Sequence, residues 1–203
     1  MWFDLIGAFF SLVSTWYFIR LDKKAWAVTL VASCINGFLY WKKGIYADMS
    51  LELFYFLSTC YGLILWKKPT GQTTIRRLIK KERLVVFAMA MLIFSVIAML
   101  LTAFTHSKVV VLDALTTAFS LIAQWLMCHK RIATWFFWFA TDLIYLVLYF
   151  QKQLPIHSAL MLLYTGLAVA GYLSWAKREK LENEKTTPNW MFELDKGRTE
   201  WCQ

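Results

Sequence analysis

Seven apolar runs, each close to twenty residues, constrain this chain more than any other feature. They fall at about 2–20, 25–42, 47–66, 84–104, 109–128, 132–151 and 154–175. A helix needs about 20 apolar residues to cross about 30 Å of hydrocarbon. In lipid every backbone polar group must be satisfied inside the chain, which a helix does within its own segment. The spacing therefore predicts an all-α integral membrane protein with seven transmembrane helices. Composition points the same way: 59% of the 203 residues are hydrophobic, against about 45–50% in soluble domains. Eleven Trp, nine Tyr and sixteen Phe suit helix ends at headgroup level, where amphipathic rings collect. Trp26, Trp66, Tyr149 and Trp175 lie near such ends and are expected to anchor there.

The net charge is +9, which in a soluble protein would suggest nucleic acid. Topology accounts for it instead. One side receives Arg20, Lys23, Lys24, the cluster Lys67, Lys68, Arg76, Arg77, Lys80, Lys81 and Arg83, then Lys130, Arg131 and the tail; the other receives Lys42, Lys43, Lys108 and Lys152. Positive loops stay cytoplasmic, so the N-terminus is expected outside and the C-terminus in the cytoplasm. No removable signal peptide is read, because a basic n-region and an A-x-A site are lacking. The link 67–83 reads as a polar, basic loop. The tail from Lys177 onward is charged and is expected to lie in water without a fixed fold. No C-x-x-C pair or His/Cys cluster occurs, so neither a metal nor a cofactor is expected. Cys34, Cys60 and Cys128 fall inside apolar runs and read as reduced core thiols.

The two halves of the chain resemble each other. An offset of 109 aligns 2–66 with 111–175 without a gap, with 15 of 65 positions identical. The matches include Asp4/Asp113, Ser11/Ser120, Trp16/Trp125, Trp26/Trp135, Tyr40/Tyr149, Lys43/Lys152, Tyr55/Tyr164, Gly62/Gly171 and Trp66/Trp175. Each repeat has three spans, an odd number, so a second repeat following directly would insert inverted. The span at 84–104 restores its direction. The expected organisation is 3+1+3 with parallel repeats: a first three-helix repeat over 1–67, a basic cytoplasmic loop and linker helix over 68–108, a second repeat over 109–176 and a cytoplasmic tail over 177–203. Pseudosymmetry of this kind puts a substrate site at the repeat interface near mid-bilayer.

Ionisable groups inside a span are costly and point to function. Asp142 lies mid-way along the sixth span and Glu52 more than a turn inside the third. Trp135, Trp138, Asp142, Tyr145 and Tyr149, spaced 3, 4, 3 and 4 apart, share one helix face. The corresponding face of the second span carries Trp26, Thr29, Ser33, Asn36 and Tyr40, and the third carries Asp48, Glu52 and Tyr55. Asp4, Asp48 and Asp113, near span ends, are expected to cap helices or face water. No Lys or Arg lies at mid-span depth to pair with Asp142. Carboxylates beside aromatic rings suit an aromatic cation, whose ring can stack and whose charge is drawn to ring faces and acids. The predicted substrate-binding set is Trp138, Asp142, Glu52, Asn36, Trp135, Tyr145, Tyr55, Tyr149 and Gln124. A membrane enzyme would need a nucleophile–base pair or a metal cluster, and His106, His129 and His157 sit apart near span ends.

The segment Asn36-Gly-Phe-Leu-Tyr-Trp-Lys-Lys-Gly-Ile-Tyr-Ala-Asp48, then Tyr55, then Tyr61-Gly-Leu-Ile-Leu-Trp66, resembles the PnuC family of vitamin transporters. So does Asp113 to Trp125 followed by Trp135-x-x-Trp138-x-x-x-Asp142. The resemblance covers about residues 2–176. It implies a SWEET-like seven-helix fold in the bacterial inner membrane. It also implies facilitated diffusion of a vitamin such as nicotinamide riboside, thiamine or riboflavin, with trapping by a cytosolic kinase. A sugar carrier is the alternative within transport, and the sequence does not decide whether the chain forms a homo-oligomer. Carried over by motif, Trp135, Trp138, Asp142, Glu52 and Asn36 would bind substrate. Nicotinamide riboside carriers of the family often have Gln and Asn where Glu52 and Asp142 stand. Asp142 leans toward thiamine, while the family as a whole leans toward nicotinamide riboside.

Overall fold

The computed structural model describes residues 2–44, 46–67, 74–104, 109–151, 153 and 155–186, with the side chains at 2–5, 43, 46–48 and 156 left out. Asp4, Asp48, His106 and Cys202 thus fall outside the described side chains. Seven helices follow in order: α1 Trp2–Ile19, α2 Lys24–Lys43, α3 Tyr46–Lys67, α4 Lys80–Phe104, α5 Val110–Cys128, α6 Ala133–Gln151 and α7 Pro155–Thr186. Five of the described helices are long and apolar enough to cross a membrane. The helix α2 is not among them, because it carries lysines at both ends and polar Thr29, Ser33 and Asn36 between them.

Six helices close a ring. Each of α1, α2 and α3 packs on the next, α3 meets α5, α6 and α7 follow, and α7 returns to α1; α4 packs outside on α5. Two indole bonds fix the directions. Trp66 Nε1 donates to Cys128 O (3.1 Å) and Trp175 Nε1 donates to Phe18 O (3.0 Å). The carbonyls lie at the C-terminal ends of α5 and α1, so α1, α3, α5 and α7 run alike and α2, α4 and α6 run against them.

Local geometry recurs at the sequence offset of 109. Leu21 and Lys130 leave α1 and α5 with φ 59° and 52°, and Gly44 and Gln153 leave α2 and α6 with φ 70° and 56°. Leu21 N–H bonds Phe18 O (3.0 Å) where Lys130 N–H bonds Met127 O (3.1 Å), and Asp22 N–H bonds Tyr17 O where Arg131 N–H bonds Leu126 O, both at 3.0 Å. A left-handed residue costs a side-chain-bearing position about 1–3 kcal/mol, and Gly44 avoids that cost.

The structure corrects the sequence reading in four places. Three of the four anchors expected at the interface are core instead: Trp26 and Trp175 are fully buried and Trp66 nearly so, while Tyr149 is half-buried. Trp26 fits over Gly62, and Trp135 over Gly171, where added Cβ atoms would collide with the rings. Second, the 67–83 link is not a free loop. Its described part pairs with the α5–α6 turn through Arg76 N–H to Lys130 O (3.4 Å) and Ile132 N–H to Arg76 O (3.3 Å), and it buries Ile75 and Leu78. The helix α4 then begins at Lys80 rather than 84, because Glu82 reaches back to accept Ile79 N–H (3.1 Å). Glu82 also pairs with Arg76 (2.7 Å) and Arg131 (3.3 Å).

Third, α7 runs on to Thr186, so the charged tail begins as helix. Glu179 there accepts Arg77 N–H (2.9 Å) and Arg77 Nε–H (3.0 Å), a contact 102 residues apart that local sequence does not announce. Residues 187–203 lie outside the described set. Fourth, of the three thiols read as core, Cys128 is buried, Cys60 half-buried and Cys34 exposed. Lys130 holds its ammonium 4.8 Å from the centre of the Trp66 ring. Burial and the nearby Lys23 charge keep it below the ordinary lysine range, with Glu182 opposing them.

Candidate functional site

The ring encloses a cavity of about 330 Å³ lined by α1, α2, α3, α5, α6 and α7. Its walls come from repeat-equivalent positions. Ser11 and Ser120, Thr15 and Gln124, and Phe18 and Met127 come from α1 and α5. Thr29 and Trp138, Ala32 and Thr141, Ser33 and Asp142, and Asn36 and Tyr145 come from α2 and α6. Glu52 and Met161, and Tyr55 and Tyr164, come from α3 and α7. Scaffold positions match while the chemistry differs between halves. That is what an asymmetric small molecule requires of a pseudosymmetric box.

The 3- and 4-residue spacing on α6 explains how Trp135, Trp138, Asp142 and Tyr145 reach one wall. Thr134 Oγ1–H donates to Ala123 O (2.8 Å) and seats the start of α6 on α5. Opposite, Asn36 Nδ2–H donates to Glu52 Oε1 (3.4 Å), linking α2 to α3. Gly7 lets α1 pass close to them, since an added Cβ there would run into Asn36 Oδ1. Across the repeat interface Tyr164 Oη–H donates to Ala8 O (3.5 Å), and the repeat-related Tyr55/Ser120 and Tyr164/Ser11 all face the same cavity.

Polar groups on the walls fall into two sorts. Ser14, Thr15, Thr29 and Thr117 back-bond to carbonyls of their own helices at 2.7–2.9 Å and are thereby satisfied. Gln124 Nε2 and Thr141 Oγ1 are buried and have no partner among the described residues. An unpaired buried donor costs about 1–3 kcal/mol, so these atoms keep hydrogen-bonding capacity that the described residues do not use. Among the described residues no Lys, Arg or His lines the cavity, whereas two carboxylates, Glu52 and Asp142, do. Among the described residues no group of three His, Cys, Asp or Glu could hold a metal ion.

Toward the end where α1, α3, α5 and α7 terminate, the cavity meets an aromatic floor. Trp26 and Trp66 lie edge to face at 5.3 Å, Trp135 and Trp175 at 5.5 Å, and Trp66 meets Trp175 across the interface at 6.4 Å. Phe18 fills the gap, 4.8 Å from Trp26.

Eight of the nine residues predicted to bind substrate line the cavity: Asn36, Glu52, Tyr55, Gln124, Trp135, Trp138, Asp142 and Tyr145. Trp135 shows it little more than an edge, being only 2% exposed. Tyr149 does not line it. One turn beyond Tyr145, it stacks on that ring (5.9 Å, 15°) and approaches His157 (5.3 Å). The sequence set omitted the α1 wall (Ser11, Ser14, Thr15), Thr141 and Tyr164. Ser11/Ser120 and Tyr55/Tyr164 are identical across the repeats, a signal that could have placed them.

Comparison with known proteins agrees with this architecture. The family model described as nicotinamide mononucleotide transporter matches residues 1–177. The fold is similar to that in the "Crystal structure of the Vitamin B3 transporter PnuC", with a TM-score of 0.73 at 20% identity, covering 88% of this chain and 82% of that one. No curated protein matches the sequence. With its family model spanning all seven helices up to residue 177, the chain belongs to the nicotinamide mononucleotide transporter family.

Proposed function

We propose that this transporter carries nicotinamide riboside inward by facilitated diffusion, with a cytosolic kinase trapping the product. The carrying observation is the cavity's charge: two carboxylates and no basic side chain among the described residues that line it. A phosphate monoester bears about −1.5 to −2 charges at pH 7. It would meet only like charge in a low-dielectric pocket, so the riboside suits this cavity and the mononucleotide does not. A volume of about 330 Å³ lies at the small end of ligand pockets, about 300–1,000 Å³. The cationic ring stacks on Trp138, Asp142 and Glu52 supply counter-charge and bond ribose hydroxyls, and Asn36, Tyr145, Tyr55 and Gln124 complete the hydrogen bonds. Asp142, standing where nicotinamide riboside carriers of the family often have an amide, favours thiamine as the second reading.

The basic end of the bundle is assigned to the cytoplasm by its charge, with the N-terminus outside. The tryptophan floor then closes the inward side. Rocking of one three-helix bundle on the other would break the Trp66–Cys128 and Trp175–Phe18 bonds and open it, giving alternating access. Uptake into proteoliposomes of labelled nicotinamide riboside, thiamine and nicotinamide mononucleotide tests the reading. The riboside is expected to enter, the mononucleotide to be refused, and Asp142→Ala and Trp138→Ala to be slow. Mononucleotide uptake, or wild-type rates in both variants, would overturn it.

A further inference from the structure

A second cavity, about 190 Å³, lies outside the ring at its basic end. It is bounded by Arg77 and Leu78 of the linker, Arg83 of α4, Ile132 and Ala133 where α6 begins, and Tyr172 of α7. The transport cycle makes no use of it. Both arginines are held by their inner nitrogens. Arg77 Nε donates to Glu179 Oε2 (3.0 Å) and Arg83 Nε donates to Leu78 O (3.1 Å). Their outer guanidinium nitrogens have no partner among the described residues, so two planar cations are fixed in place with donors still available. The remaining wall is mostly apolar: Leu78 and Ile132 are buried, Ala133 adjoins them, and Tyr172 brings its ring and one phenol hydroxyl. One turn deeper on the same three helices, Phe87, Phe136 and Val169 are 64%, 67% and 44% exposed.

We propose that this crevice binds one anionic phospholipid, its phosphodiester on Arg77 and Arg83 and an acyl chain descending past Phe87 and Phe136. Guanidinium groups suit phosphate oxygens in geometry and charge, and basic pockets between spans on the cytoplasmic side attract acidic headgroups. An acyl chain needs the apolar wall that a free phosphate would not use. The site spans linker, α4, α6 and α7, so an occupant ties the linker helix to the second bundle. The inference rests on the membrane setting and on the charge-based orientation, not on which vitamin is carried.

The test is native mass spectrometry of the full chain, purified and exchanged into mixed micelles of phosphatidylglycerol and phosphatidylcholine. Wild type is expected to retain one phosphatidylglycerol. Arg77→Gln and Arg83→Gln should each lower retention about tenfold, the scale of one lost charge-assisted bond. Glu179→Gln frees Arg77 from its protein partner and should leave retention unchanged or raise it, which separates lipid binding from damage to the clamp. Equal retention of both lipids, wild-type retention in both arginine variants, or displacement of the lipid by millimolar inorganic phosphate would overturn the proposal. None of these readouts depends on uptake, so failure here and failure of the transport reading are distinguishable.

Discussion

Replacing Gly62 with Ala tests the packing that forms the cavity floor. The new Cβ would stand 2.5 and 2.6 Å from Trp26 Cζ3 and Cζ2. Carbon atoms prefer about 3.5–4.0 Å, so the indole must withdraw by about 1 Å. It has nowhere to go: Phe18 stands 4.8 Å away on one side and Trp66 5.3 Å on another. Overpacking of this kind costs about 1–3 kcal/mol. Alanine in mid-helix returns about 0.5–1 kcal/mol, leaving a net loss near 1.5 kcal/mol. For a chain of this size about 2–4 °C of Tm accompanies each kcal/mol, so thermal unfolding followed by circular dichroism should drop about 3–6 °C. Gly171→Ala, under Trp135, should behave alike. Gly166, also in α7, has nothing within 4 Å of an added Cβ, and Gly166→Ala should raise Tm by about 1–4 °C. If Gly62→Ala and Gly171→Ala rose with Gly166→Ala, the indoles would not be seated on these glycines and the floor described here would be wrong.

Three further outcomes follow from the same geometry. Asp142→Asn and Glu52→Gln should each weaken binding of the cationic vitamin about 10- to 100-fold by calorimetry, the range of one charge-assisted bond; unchanged affinity in both would remove the carboxylates from the site. Thr141→Val replaces an unpartnered buried hydroxyl and should hold or raise the Tm of ligand-free protein by about 2–4 °C while weakening binding, so a fall in Tm would show that Oγ1 already has a partner. Glu179→Gln should change global stability by under about 1 kcal/mol, since Arg77 is largely solvated. It should nevertheless speed amide exchange across 177–186, and unaltered exchange there would mean that the Arg77 clamp does not hold the end of α7.

The helices were legible because hydrocarbon length and helix rise leave little freedom: every predicted span matches a helix within a few residues, except where α4 and α7 extend. Those extensions escaped because they depend on distant partners. Glu82 joins the start of α4 to Arg76 and Arg131, and Glu179 joins α7 to Arg77. The site was legible where helical period put costly groups on one face, as with Trp138, Asp142 and Tyr145. It failed where depth alone was used. Position near a helix end suggested that Trp26, Trp66 and Trp175 meet the interface, but depth does not tell which way a side chain turns. Tyr149 shares the α6 face and still falls beyond the cavity, because the wall ends one turn before it.

By itself the sequence determined seven apolar helix-length runs, a three-helix unit repeated at an offset of 109, and two acids placed inside those runs. Each follows from a local or periodic property, namely apolar length, self-similarity and the cost of buried charge. Only the tertiary structure decided that six helices close a ring with α4 outside, that four tryptophans turn inward to floor it, and that the basic linker folds against the α5–α6 turn. Those outcomes depend on which surfaces fit each other: glycine against indole, indole N–H against a carbonyl of the other repeat. Complementarity between segments far apart in the chain leaves no period in the sequence to read.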